Sequence, residues 1–460
     1  MDGFELSAGV NADKVFLVKH SELEGRIDPH QYHHERINAI KAIKAKNKTI
    51  SLNQLVFSAK QITTEINSQD IYIGLENILS NTGEYLATAD KQSISSAAVF
   101  KKGQILFPKL RPYLNKVHLA EFDGICSTEF HIFDAKNINA EFLAIYLRSD
   151  LVVNQTKHLM TGNTLPRLQT EDIQKLPVPL VSNEIQSKVV TFYKNAYNQK
   201  QQKEQQAQAL LDSIDGYLLN ELGITLPQQD NRLEKRMFTV PFSKVIGARI
   251  DPDYSLKYDL LFSQKGYYSF VKLKELLVDT PQYGANEEGK ERITHDDVRY
   301  IRITDIDELG NLKNNDWKTA HTIEEQYLLK QNDILFARSG SVGRCYIHKE
   351  TERPAIFAGY LIRFKINEEK LNPDFLFYYC NSMFYKLWVS AIERPAVQSN
   401  INAEEYKALL IHLPPLEKQT EIAAHIMQIR TQAKQLQAEA ANLLASAKTD
   451  IERMILGEVA

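Results

Sequence analysis

The strongest constraint on this chain is that it is one unit of about 230 residues written twice. A long-period repeat decides architecture before any local pattern does, because two like halves imply two like folds. Arg26-Ile27-Asp28-Pro29 returns as Arg249-Ile250-Asp251-Pro252, and the stretch Tyr72 to Ile78 returns as Tyr300 to Ile306. Ile105-Leu106-Phe107 returns as Ile334-Leu335-Phe336. The offset grows from 223 through 228 to 229, as loops of unequal length require, and then holds at 233. At that final offset Asn139-Ala140-Glu141-Phe142-Leu143 matches Asn372-Pro373-Asp374-Phe375-Leu376, Leu168 matches Ile401, Glu184 and Gln186 match Glu417 and Gln419, and Leu210-Leu211 matches Leu443-Leu444. Order and steady offset together exclude chance.

Each copy has two parts. The first ~170 residues carry strand-like runs rich in β-branched and aromatic residues, as in Val99 to Phe107, Phe130 to Phe133 and Tyr360 to Phe364. The last ~40 are different in kind. From Glu417 to Leu456 there is no Pro or Gly, and Ile422, Ile426, Ile429, Ala433, Leu436, Ala440, Leu443 and Ala447 recur at alternating spacings of four and three. That is the heptad seam of a coiled coil, on a helix ~60 Å long. The first copy gives Val189, Tyr193, Ala196, Lys200, Lys203, Ala207, Leu210 and Ile214, a seam interrupted by two lysines inside the polar run Asn198 to Gln206. Those lysines read either as a solvated face or as stems lying over small residues with their ammonium groups in water. An apolar stripe cannot stand alone in water, so the two helices are expected to bury each other. Pro177, Pro179 and Pro414, Pro415 mark the extended entries to the helices. The expected fold class is α+β, with two tandem α/β domains separated and joined by two long helices in an antiparallel coiled coil.

Composition narrows the function classes. Among 460 residues, 55 Lys and Arg stand against 58 Asp and Glu, so a whole-molecule polycation is excluded while a local basic face is not. No run approaches the ~18 apolar residues of a membrane span, and Met1 to Val10 is too acidic to start a secretory signal. Cys126, Cys345 and Cys380 lack metal or redox spacing, which reads as plain thiols of a cytoplasmic protein.

Catalytic motifs are sought and not found. Asn372-Pro373-Asp374-Phe375 resembles the Asn-Pro-Pro-aromatic loop of amino-methyltransferases. Its repeat partner Asn139-Ala140-Glu141-Phe142 keeps cap, acid and aromatic but loses the proline. A helix start explains both, with Asn as N-cap and the acid near the positive end of the dipole. Ser339-Gly340-Ser341-Val342-Gly343-Arg344 lacks the Lys-Ser/Thr ending of a phosphate loop and reads as a glycine-bearing hairpin. His33-His34 shows no zinc spacing, and neither HExxH nor GxSxG occurs.

A charged ligand has clearer candidates. Lys101, Lys102, Lys109, Arg111 and Lys116 crowd one stretch without an acid, with Phe107 and Tyr113 between them. The matching stretch of the second copy carries Lys330, Arg338 and Arg344, with Ser339 and Ser341 interleaved and one acid, Asp333. Either alone reads as a solvated hairpin tip; together they favour approach to phosphates and base edges. Two polar, turn-rich segments, Thr161 to Arg167 and Glu393 to Asn400, precede the long helices at equivalent places. They hold Arg167 and Arg394 together with the amides of Asn163, Gln398 and Asn400, which suit adenine. Gln282 and Tyr283 lie in a third polar turn without a clear partner in the first copy. Two like but unequal globules on a rigid spacer, with centres roughly 35–50 Å apart, suit two short half-sites about one duplex turn apart. The expected target is a bipartite, asymmetric double-stranded DNA site.

The layout resembles the specificity (S) subunit of type I restriction–modification enzymes, the HsdS family. The carrying residues are Leu413-Pro414-Pro415-Leu416-Glu417-Lys418-Gln419 with Ile422, a weaker copy Pro177-Val178-Pro179-Leu180 with Glu184, Gln186 and Val189 after two extra residues, the Arg-Ile-Asp-Pro pair, and Asn332 to Phe336. The resemblance implies target-recognition domains at 1–175 and 226–408, each followed by a long helical spacer at 176–225 and 409–460. It implies a phage-defence DNA-recognition subunit without catalytic residues, metal or bound cofactor. Two methyltransferase (M) subunits would dock on the helices, with Glu184, Gln186, Val189, Leu210, Leu211, Glu417, Gln419, Ile422, Leu443 and Leu444 at the seam and interface, and would hold S-adenosylmethionine. Restriction (R) subunits would bring ATP and Mg. Two other readings stand beside it: a coiled-coil scaffold with two protein-binding heads, and a stand-alone DNA-modifying enzyme.

Overall fold

A computed structural model describes residues 9–11, 14–20, 23, 28–59, 61–67, 69–87, 95–161, 166–227, 232, 238–242, 251–263, 265–294, 296–313, 315–350, 352–393 and 399–458. Arg26, Ile27, Arg249 and Ile250 of the repeat lie outside these. The chain forms two compact units, residues 1–204 with 438–460, and residues 205–437.

The first unit is built on an antiparallel sheet in the order Val56–Ala59, Phe130–Ala135, Ile105–Pro108, His118–Leu119. Side chains alternate across a strand, and here both faces are covered. Ile105, Phe107 and Phe133 pack with the helix Ala140–Leu147, whereas Leu106 and Ile132 join Ile73 and Cys126 on the other side. This is why Ile105–Pro108 reads as an unbroken apolar run rather than an alternating one. The second unit repeats the plan with Gln282–Tyr283, Leu361–Phe364, Ile334–Ala337 and Cys345–Ile347. Ile334 and Phe336 face one core, Leu335 and Ala337 the other. The polar turn at Gln282–Tyr283 therefore has a partner after all: it pairs with Leu361–Phe364 as Val56–Ala59 pairs with Phe130–Ala135. Its sequence hid this because the edge strand is short.

The repeat extends to hydrogen bonds. Tyr72–Ile73 and Arg299–Ile301 lie parallel to Gly124–Cys126 and Ala355–Phe357, and each leads into a one-turn helix capped by a buried Asn77 or Asp305 side chain. Asn139 and Asn372 cap their helices by accepting from the amides of Phe142 and Phe375, both at 3.0 Å. Ser339 to Arg344 is the turn between two strands, with Gly340 and Gly343 at positive φ.

Two helices of 40 residues, Asn183–Leu222 and Leu416–Ile455, contribute to both units. In the first unit Val189 and Val190 share a core with Ile451 and Ile455. In the second, Leu218 and Leu222 share one with Ile422 and Ile426. The start of each helix thus lies with the end of the other, which is antiparallel pairing. Every seam position of the second helix from Ile422 to Ala447 is buried or half-buried, as are those of the first. The lysines interrupting the first seam are ion-paired: Lys203 with Glu439 across the helices at 2.6 Å, and Lys200 with Glu204 along its own helix at 2.7 Å.

Two expectations at the helix entries are corrected. Pro177 and Pro179 do not occupy the places of Pro414 and Pro415. They sit in the strand Pro177–Pro179, paired with Thr49–Ser51, as Leu410–His412 pairs with Phe270–Lys272. There are also no extra residues before Glu184. Gln186 Nε2 donates to Val181 O just as Gln419 Nε2 donates to Pro414 O, so Val181 stands where Pro414 does and the offset of 233 holds.

Candidate nucleic-acid interface

At one edge of each central sheet, the strand Ile105–Pro108 or Ile334–Ala337 runs out into a turn that meets the segment preceding the long helix. In the first unit Leu110 bridges Arg167, and Leu168 N–H donates to Lys109 O at 2.8 Å. In the second, Ser339 bridges Asn400, and Ile401 N–H donates to Arg338 O at 2.8 Å. The fold thereby brings together Lys109, Arg111 and Arg167 in one unit, and Tyr283, Arg338, Ser339 and Asn400 in the other. Arg111 and Gly340 hold the same left-handed turn, at φ 48° and 76°. A non-glycine residue there is strained, and Arg111 is exposed without a side-chain hydrogen bond to any described residue. Tyr113 follows it, exposed, in the one-turn helix Pro112–Leu114.

The two edges hold their cations differently. Arg167 grips Glu129 through two hydrogen bonds of 2.9 Å, which holds the Glu129 carboxyl below its usual range. Lys109 donates to Thr128 O at 2.6 Å, and partial burial lowers its pKa against the pull of Glu129. Burial beside that lysine depresses His131 to about 4. In the second unit the guanidinium of Arg338 lies 5.0 Å from the Tyr283 ring centroid, its Nε buried without a hydrogen-bond partner among the described residues. The Tyr283 hydroxyl accepts from Ala403 N–H at 3.3 Å. Arg338 N–H donates to the carbonyl of Tyr360, whose side chain is 63% exposed. Glu129 and Tyr360 thus occupy matching places, since Lys109 N–H donates to Glu129 O at 2.8 Å. Neither was singled out from sequence; register across the sheet finds them, and linear spacing cannot.

Other expected DNA contacts are placed elsewhere. Lys116 Nζ donates to Leu75 O at 2.8 Å and Arg344 Nη1 to Ile306 O at 2.7 Å. Both cations tie down the one-turn helices of the repeat, so their correspondence has a structural cause. Gln282 accepts from the buried Arg363, and Ser341 sits half-buried in its turn. Asn163, Arg394 and Gln398 lie outside the described residues.

The helix residues also divide. Val189, Leu210, Leu211, Ile422, Leu443 and Leu444 are buried or half-buried, Val189 and Ile422 completely. Gln186 and Gln419 are buried as well, but they accept from the N–H groups of Asn139 and Asn372 and so fasten each helix to its own domain. Glu184 and Glu417 are exposed in the first turns, where a carboxylate suits the dipole. Among the described residues no helix is long and apolar enough to cross a membrane.

The chain is thus a doubled α+β unit with corresponding polar edges and two long antiparallel helices. Residues 46–211 and 262–443 match the family described as the type I restriction modification DNA specificity domain, and the chain belongs to that family. It is similar to the EcoDI specificity subunit of Escherichia coli, with 30% identity over 112 residues, 24% of this chain and a quarter of that subunit. Against the StySPI subunit of Salmonella potsdam it is 22% identical over 67% of its own length and 62% of the relative, so it spans less than two thirds of these first two relatives. The MjaVIII specificity subunit of Methanocaldococcus jannaschii matches more fully, with 22% identity over 89% of this chain and 88% of that one. A solved chain from work on complex assembly and conformational transition of the type I R-M system shares the fold, at a TM-score of 0.52 and 19% identity over 90% of this chain and 98% of that one.

Proposed function

We propose that this chain is the non-catalytic DNA-reading subunit of a type I restriction–modification complex, each unit reading one half of a bipartite, asymmetric site. The observation that carries the reading is the paired edge. The same turn and the same bridge recur in both units, yet the side chains they present differ: Lys109, Leu110, Arg111 and Arg167 against Arg338, Ser339, Gly340 and Asn400. Cationic and amide groups on strand-to-turn segments suit phosphates and base edges, and unequal groups on equal scaffolds read unequal half-sites. The antiparallel helices set the unread gap and carry two methyltransferase subunits. Those subunits hold S-adenosylmethionine, and restriction subunits add ATP and Mg; this chain supplies the address alone.

Exchanging residues ~20–175 for those of another family member, followed by methylome sequencing of cells carrying the exchanged chain with its methyltransferase, tests the reading. One half of the methylated motif changes and the other half and the gap persist. A change in both halves, or in neither, defeats it. Methyl transfer to DNA by the purified chain alone would defeat the non-catalytic assignment.

A further inference from the structure

In the second unit three guanidinium groups converge on one indole. Arg292, Arg299 and Arg353 lie 4.8, 5.9 and 5.1 Å from the Trp317 ring centroid. The Trp317 ring is itself buried, 3% exposed. The three come from separate segments. Arg299 opens the strand Arg299–Ile301, Arg292 follows the strand Gly289–Lys290, and Arg353 precedes the strand Ala355–Phe357.

One cation over an indole is an ordinary stabilising contact. Three around the same ring repel one another, and the ring quadrupole cannot offset all of that. The nearby acids only partly help. Glu350 reaches Arg353 at 3.9 Å, and Asp305, which also acts on Arg299, is held by Arg302 at 2.7 Å. Lys318 is taken by Glu291. Asp297 is turned to the amides of Ile293 and Thr294. Arg299 is 1% exposed and donates through Nη2 to Lys313 O, while its buried Nε has no hydrogen-bond partner among the described residues. Arg292 is exposed and makes no ion pair with a described residue. Arg292 and the unused Nε of Arg299 leave donors that an anion can complete.

Position indicates which anion. The segment from Tyr283 at the reading edge to Arg292 is nine residues, at most ~30 Å when extended, within about one turn of duplex. It is tied to the same sheet layer, since Ala285 bridges Ala358 and the Tyr300 hydroxyl donates to Glu287 O at 2.8 Å.

We infer that the Arg292–Arg299–Arg353 cluster on Trp317 is a phosphate-binding site that grips the DNA backbone beside the half-site read by the second unit. The inference rests on the DNA-reading function proposed above and adds a contact that fixes register without reading sequence.

The test is the salt dependence of binding between the full chain and ~30-base-pair duplexes, random and cognate, from 50 to 200 mM salt. Each phosphate contact adds ~0.9 to the slope of log affinity against log salt. Arg292→Gln, at an exposed position, lowers that slope by about one contact and weakens both duplexes by the same several-fold factor at 50 mM, with the methylated motif unchanged. Arg353→Gln does likewise. The chain has two tryptophans, and Trp388 is buried in the hydrophobic core, so a DNA-dependent change in emission that Arg292→Gln diminishes places the anion at Trp317. A wild-type slope in both variants, or a loss confined to cognate DNA, overturns the inference alone. A chain that binds no duplex at any salt removes the DNA-reading function and this site with it.

Discussion

Gln186 Oε1 accepts the backbone N–H of Asn139 at 3.0 Å. The same buried amide donates to Val181 O, so one side chain clamps the helix start to the cap of the neighbouring helix Ala140–Leu147. Gln419 repeats both bonds with Asn372 and Pro414. Gln186→Met keeps the shape and removes two part-buried hydrogen bonds, to the Asn139 N–H and the Val181 carbonyl, a loss of about 1 kcal/mol. Thermal unfolding of the variant is expected several degrees below wild type, and an unchanged midpoint would show that the clamp is ornamental.

Glu129 holds Arg167 in a bidentate pair at the edge where Leu110 bridges Arg167. Glu129→Gln removes the carboxylate that competes with phosphate for that guanidinium, and Arg167→Gln removes the guanidinium itself. Affinity for duplex DNA at low salt should therefore rise in the first variant and fall in the second. A fluorescence-anisotropy titration in which both weaken binding would mean that the pair acts as a unit.

Arg111 holds a backbone conformation that its counterpart gives to Gly340. Arg111→Gly relieves strain of about 1 kcal/mol and deletes a cation facing solvent. Stability is expected to hold or rise while DNA affinity drops, a combination that a purely structural arginine could not produce.

His131 and His412 are both buried, and burial depresses each to about 4. In the unfolded chain they titrate near 6.5. Between those values the unfolded state binds the extra protons, so stability is complete above about 6.5 and declines as pH falls toward 4. The slope is up to about 1.4 kcal/mol per pH unit for each histidine. Urea denaturation at pH 7.5, 6 and 5 measures it, and His412→Leu should remove one proton from the dependence.

Architecture was legible because repetition and the heptad are properties of spacing, which survive without coordinates. Ile422 to Ala447 needed only a period of 3.5 residues to be placed. The two corresponding edges were half legible. Lys109, Arg111 and Arg338 stood out as cations in matching stretches, but so did Lys116 and Arg344, which turn inward to backbone carbonyls. Charge in a sequence does not say whether a carbonyl waits within reach. Glu129 and Tyr360 were invisible because their role comes from pairing across strands, and the Trp317 cluster because its arginines are scattered over some sixty positions. The proline alignment failed for a plainer reason: proline fits both a strand edge and a helix entry.

The membership of the first unit sets a timetable for making this protein. Its core includes Ile451 and Ile455, which lie more than two hundred residues beyond its other members. At ~5–20 residues per second, a ribosome reaches them roughly 12–50 s after finishing Glu204. During that interval the apolar faces of Val189 and Val190 await their cover, while residues 205–437 emerge as a unit that closes on itself. The later-made half completes first, and the earlier half depends on chaperoning or patience.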